Sequence, residues 1–119
     1  MKNSPVHKEI FEGEEYNIAY KVVTSDMQSL GLRKNPNIIT YKFDEWLWLP
    51  SSEIVEGVGD YGGIWAARTP GRAKQYQKYM ERKHDTETRA FKSLIGKVLF
   101  SNQDRVKTDG IKLVEELRL

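Results

Sequence analysis

The sequence predicts a single α+β domain with five or six mostly antiparallel strands and one main helix. Three observations carry this. Tyr16, Ile18, Tyr20 and Val22 alternate with Asn17, Ala19, Lys21 and Val23, the period-two pattern of a strand. A Thr69-Pro70 pair opens a stretch, about 70–83, where Ala73, Tyr76, Gln77 and Met80 recur at helical spacing. Beyond Thr86 the apolar runs are short and broken by glycine and turn-forming residues, as extended segments are.

At 119 residues, with 39% hydrophobic and 30% charged side chains, the chain holds one core and is too apolar for disorder. No apolar run approaches the roughly 18 residues of a membrane span. The start, MKNSPVHKEIFEGEE, lacks the apolar centre of an export signal, so a cytoplasmic location is expected. The absence of cysteine removes disulfides and thiolate chemistry, and with only His7 and His84 as imidazoles no transition-metal site is expected.

Taken in order, residues 1–15 read as a flexible entry arm before the first strand. Ser25 followed by Gln28 has the form of a capping box, predicting a short helical turn over about 26–30 with Met27 and Leu30 inward and Gly31 as its stop. Residues 32–37 form a loop around Pro36. Ile39, Tyr41 and Phe43 alternate again, and after Asp44-Glu45 the run Trp46-Leu47-Trp48-Leu49 completes a hairpin that Pro50 ends. Four large apolar residues in succession predict a strand covered on both faces, either central or under a loop; the same tryptophans would also suit base stacking. Residues 51–63 carry Glu53, Glu56, Asp60 and four glycines, a long connection or a lid, without a Walker or dinucleotide fingerprint.

Ile64–Ala67 is a short apolar strand. Thr69 is a good N-cap, and Pro70 takes the first helical position, where its missing N–H costs nothing. The helix ends near Lys83-His84-Asp85. Residues 90–95 and 97–100 are extended on either side of a bend or bulge at Gly96, and 101–110 is rich in turn formers. Residues 111–119 fit a strand through Ile111, Leu113, Leu117 and Leu119, or a helical stripe through Ile111, Val114 and Leu117; the strand is favoured.

Charge is unevenly placed. The chain carries a net +2, yet from Arg68 to His84 six basic residues face one acid, Glu81, leaving the remainder net negative. A basic face on an acidic body points to an anionic partner, or is a solvated helix surface. The Thr69 helix start, with free N–H groups beside Arg68 and Arg72, has the composition of a site for phosphate or carboxylate; it is equally a well-made helix start.

The run GGIWAARTPGRAKQY resembles the middle element of the ADP-ribosyltransferase superfamily through Gly63, Ile64, Trp65, Ala66, Thr69, Ala73 and Tyr76. Tyr20-Lys21 in an early strand and acids in late strands follow the same order. The resemblance implies NAD as cofactor, with nicotinamide near Trp65 and Tyr76 and the pyrophosphate held by Arg68 or Lys21. It further implies that Glu115 stabilises a cationic ribose. Lys21 stands where that superfamily usually has arginine or histidine, Trp65 replaces tyrosine or phenylalanine, and Glu116 is an alternative to Glu115; a relative without catalysis is also compatible. Gly63, Trp65, Arg68, Thr69, Arg72 and Tyr76 are the expected ligand contacts, with Lys21 and Glu115 as catalytic groups. Two further classes stay open: a nucleic-acid-binding module using the basic helix with aromatics, and an interaction domain whose basic face docks an acidic protein.

Overall fold

A computed structural model describes residues 5–29, 39–59 and 62–119. The α+β class holds, with more strands than expected: eight, β1 (Lys8–Phe11), β2 (Glu14–Thr24), β3 (Trp46–Trp48), β4 (Ile64–Ala67), β5 (Thr88–Ile95), β6 (Val98–Ser101), β7 (Arg105–Thr108) and β8 (Gly110–Leu117). One α-helix, α1 (Pro70–His84), and a single 3-10 turn, Ser51–Glu53, complete the described elements.

All the strand pairings described are antiparallel, in the order β3-β8-β5-β2-β4-β7-β6, with β1 added to β2. That order is not an open ribbon. Asp109 alone separates β7 from β8, and Gly96-Lys97 alone separates β5 from β6. Hence β5–β6 and β7–β8 are the two arms of one long bent hairpin, tied through the bend by the Gly96 N–H donating to the Gly110 carbonyl at 2.9 Å. β2 joins β5 along its length, Asn17 to Thr24, and meets β4 at one pair, Tyr20 with Ala67. β4 in turn pairs with β7, so the sheet closes on itself as a barrel.

Closure decides which face of each strand is inside. Ala19, Val23, Ile64, Ala66, Phe91, Ile95, Val106, Ile111 and Leu113 fill the interior together with Tyr41. On the outer face Val22 and Ala90 receive Ala73 of α1, flanked by Tyr20, Ala67 and Tyr76. Ala73 and Met80 are the buried helix residues, and Tyr76 and Gln77 are half-buried, the inner face that spacing predicted. Across the rest of the outer face, a cleft of about 310 Å³ between β1 and strands β2, β5 and β8 is lined by Ile18, Leu94, Glu9, Lys92 and Glu115, among others.

Several expectations are corrected. Part of the expected arm, Lys8–Phe11, is β1, paired with β2 from Glu14 to Asn17. The described residues after β2, 25–29, make no helical turn: Met27 sits at φ 64, a left-handed conformation, and Thr24 rather than Ser25 supplies the side-chain oxygen, accepting from Gln28 N at 3.1 Å. Gln28 then makes an isolated bridge to Thr40. Met27 still packs on the core; Leu30, Gly31 and the Pro36 loop lie outside the described residues, as do Asp60 and Tyr61. Ile39–Phe43 does not pair with β3, because Asp44 (φ 63) turns the chain and its N–H donates to Leu113. β3 lies at one end of the pairing order, joined only to β8. Leu47 and Leu49 pack on the core, while Trp46 and Trp48 face outward. Residues 110–117 form a strand, as favoured. Among the described residues no helix is long and apolar enough to cross a membrane.

Candidate functional site

The Thr69 hydroxyl accepts from Arg72 N at 3.1 Å, and its carbonyl takes the Ala73 N–H at 3.0 Å, fixing the first turn of α1 behind Pro70. At the far end Asp85 (φ 48) stops the helix, and Arg82, Lys83 and His84 complement the negative end of its dipole. Lys74, Lys78 and Arg82 lie four residues apart on one exposed stripe, a row of three cations along about 12 Å of helix. None of the three has a charged or hydrogen-bonding side-chain partner among the described residues. Lys83 donates to the Tyr79 hydroxyl at 3.2 Å, with its ammonium 5.4 Å from that ring. The helix's one acid is turned the other way. Glu81 accepts from both Thr88 N (3.0 Å) and Thr88 Oγ1 (2.8 Å), where it fastens the start of β5. The outward face of α1 is therefore positive throughout.

Its N-terminus is different. Arg72 Nε lies 3.1 Å from Asp104 Oδ1 and its guanidinium also reaches Gln75. Arg68 donates to the carbonyls of Asn102 and Pro5, and its own N–H to the Asp104 carbonyl. The turn between β6 and β7 thus delivers a carboxylate to the helix start and engages both arginines expected to hold an anion. With Thr69 spent as the cap, the charge offered to an incoming phosphate at this end is reduced.

Trp65 projects from the outer face of β4. The Arg105 guanidinium lies 4.0 Å from its ring centroid, the Lys107 ammonium 5.9 Å away, and Phe100 meets it edge-on at 6.0 Å. Lys107 is fully buried; its ammonium donates to the carbonyls of Gly57 (3.2 Å) and Gly59 (2.9 Å), pinning the glycine-rich connection. Gly63 is needed here, because a Cβ would collide with the Lys107 stem. Tyr76 is half-buried beside Val22 and Ala73, and burial raises the pKa of its hydroxyl.

The two expected catalytic groups are separated. Lys21 points into the barrel, its amine donating to the Trp65 carbonyl at 2.7 Å and lying 5.4 Å from the Tyr41 ring. Among the described residues no carboxylate offsets its burial, which lowers its pKa from the ordinary 10.5 to about 8. Tyr41, buried beside it, is shifted upward for the same reason. Glu115 is exposed on β8, opposite Lys92 in the cleft beneath β1. There Glu9 accepts from Lys92 at 2.6 Å; this bond, followed by that from His7, lowers the Glu9 pKa, and it raises that of Lys92. The structure therefore brings Gly63 and Trp65 together and sets Arg68, Thr69 and Arg72 around the helix start. Lys21 reaches the first group only from inside, through the Trp65 carbonyl, and Glu115 joins neither.

No protein-family model, curated protein or solved structure matches the chain. The functional reading therefore rests on the geometry alone. Sequence reasoning missed Asp104, Arg105 and Lys107, which stood in a stretch read as turn-rich. The alternation of Arg105 and Lys107 with Val106 and Thr108 was the available signal, since period two puts both cations on one face. That the face is the one carrying Trp65 follows only from the β4–β7 register, Trp65 opposite Lys107 and Ala67 opposite Arg105.

Proposed function

We infer that this chain is a nucleic-acid-binding module that lays the outward face of α1 along a phosphate backbone. The observation that carries the reading is the sorting of charge on one helix. Lys74, Lys78 and Arg82 are exposed and unpaired among the described residues, while Glu81, which would neutralise them, is committed to Thr88. Such a row gains by releasing counterions from a polyanion, which makes affinity steeply salt-dependent and largely indifferent to sequence. Tyr79, 46% exposed between these cations, adds a ring on which an unpaired base can stack.

The test is fluorescence anisotropy of labelled oligonucleotides across a salt series, comparing wild type with Lys74→Ala/Lys78→Ala/Arg82→Ala. Loss of three phosphate contacts should flatten the slope of log affinity against log salt by about 2 to 3. Binding that ignores salt, or a triple variant with the wild-type slope, would refute the reading.

A further inference from the structure

At the other end of the outer face stands a second aromatic group. Trp46 and Trp48 are stacked, with ring centroids 4.7 Å apart and planes within 14°, and Tyr16 meets Trp46 at 5.9 Å. Trp48 presses against Gly96 and Gly110, where any Cβ would strike its ring, so the hairpin bend is shaped to seat it. Yet Trp48 remains 55% exposed. Three carboxylates belong to the same end of the molecule. Glu14 accepts from the Tyr16 hydroxyl at 2.8 Å, Glu45 immediately precedes Trp46, and Glu12 stands in the β1–β2 turn. Glu12 and Glu45 are exposed and have no charged or hydrogen-bonding side-chain partner among the described residues. Lys112, the strand partner of Trp46, is held by Asp44 at 3.6 Å, so an exposed indole with Glu12, Glu14 and Glu45 at the same end favours a cation with a flat or aliphatic body.

The chain carries the complement of this surface in the outward face of α1, with Lys74, Lys78, Arg82 and the exposed Tyr79. It also uses cation–ring contact internally, at Arg105 on Trp65 and Lys83 on Tyr79. The two surfaces cannot meet within one molecule. Tyr16 and Val22 mark their positions along β2, and six residues of strand separate them by about 20 Å.

We propose that α1 of one copy docks on the Trp46–Trp48 face of a second copy. Charge pairing with Glu12, Glu14 and Glu45 and cation–π contact with Trp48 join the two chains. The contact is heterologous, so each copy keeps one free surface of each kind and association can continue beyond two. It uses the same helix as nucleic acid, and the two therefore compete.

Sedimentation velocity of the full chain, at low and high salt and over a concentration series, reads the association. Wild type should exceed monomer mass at low salt and return to monomer at high salt. Lys78→Glu/Arg82→Glu and Glu14→Lys/Glu45→Lys should each be monomeric, and an equimolar mixture of the two should recover a complex, because each retains the surface the other lacks. Circular dichroism checks that both variants fold. Monomeric wild type at millimolar concentration in low salt, or a mixture that stays monomeric, would overturn the proposal. So would a monomeric wild type whose tryptophan face binds an oligo-arginine peptide, since the occupant would then be another basic chain. Glu14→Lys/Glu45→Lys should bind oligonucleotide at least as well as wild type, so failure of self-association is read separately from failure of nucleic-acid binding.

Discussion

Replacing Lys21 with methionine tests the energetics of the barrel interior. Its amine is buried with one carbonyl and one aromatic ring for company, and its pKa falls from 10.5 to about 8. The unfolded chain therefore holds this proton up to about pH 10.5, whereas the folded chain releases it near pH 8. Between those values the unfolded state binds more protons, so stability rises with pH; below pH 8 both states are protonated and the burial penalty is borne in full. At about 1.4 kcal/mol per tenfold, the gap corresponds to roughly 3 kcal/mol. Methionine has nearly the same length and no charge, so Lys21→Met removes that penalty. It also leaves the Trp65 carbonyl without its donor, at about 1 to 3 kcal/mol. The two effects nearly cancel at pH 7, and the pH dependence is what discriminates. Urea unfolding of both proteins from pH 7 to 10.5 should show the variant losing roughly 3 kcal/mol relative to wild type as pH rises. A difference that stays flat over that range would refute the idea that the Lys21 amine sets this slope.

Three further outcomes are expected. Gly63→Ala should destabilise the fold by about 1 to 3 kcal/mol in denaturant titrations, because the new methyl meets the Lys107 stem inside a packed face. Thr69→Ala should cost about 1 kcal/mol by the same measurement through loss of the cap to Arg72, while Thr69→Ser should keep most of it. NAD at millimolar concentration should leave the melting temperature unchanged, since Lys21, Glu115 and the helix start lie in three separate places; a clear rise would revive the dinucleotide reading.

Where a residue's environment is made by its own neighbours, the sequence was readable. Thr69-Pro70 marked the start of α1, its spacing marked the buried Ala73 and Met80, and alternation marked β2. Where the environment is made by distant chain, it was not. Trp46 and Trp48 looked like core because nothing nearby in sequence announces the seat that Gly96 and Gly110 provide. Lys21 looked available for chemistry because alternation says which residues share a face, but not that closure turns that face inward. The helix start looked vacant for the same reason: Asp104 arrives from a turn more than thirty residues away and pairs with Arg72. Ser25 was the expected acceptor, but in a turn where Met27 takes a positive φ the bond from Gln28 goes to Thr24.

The single pair joining β2 to β4 has a consequence for how the molecule assembles. The bent hairpin of β5–β8 is made from contiguous chain, and β2 adds to it along an eight-residue register. β4, by contrast, pairs with β2 at Tyr20 with Ala67, and the Lys21 amine reaches the Trp65 carbonyl across the same junction. That junction is the seam of the barrel, closed across more than forty residues of intervening chain, and loop closure of this length is repaid only after the hairpin is in place. Such a junction is expected to open ahead of the hairpin in local unfolding, and the lysine that costs stability also reaches across it.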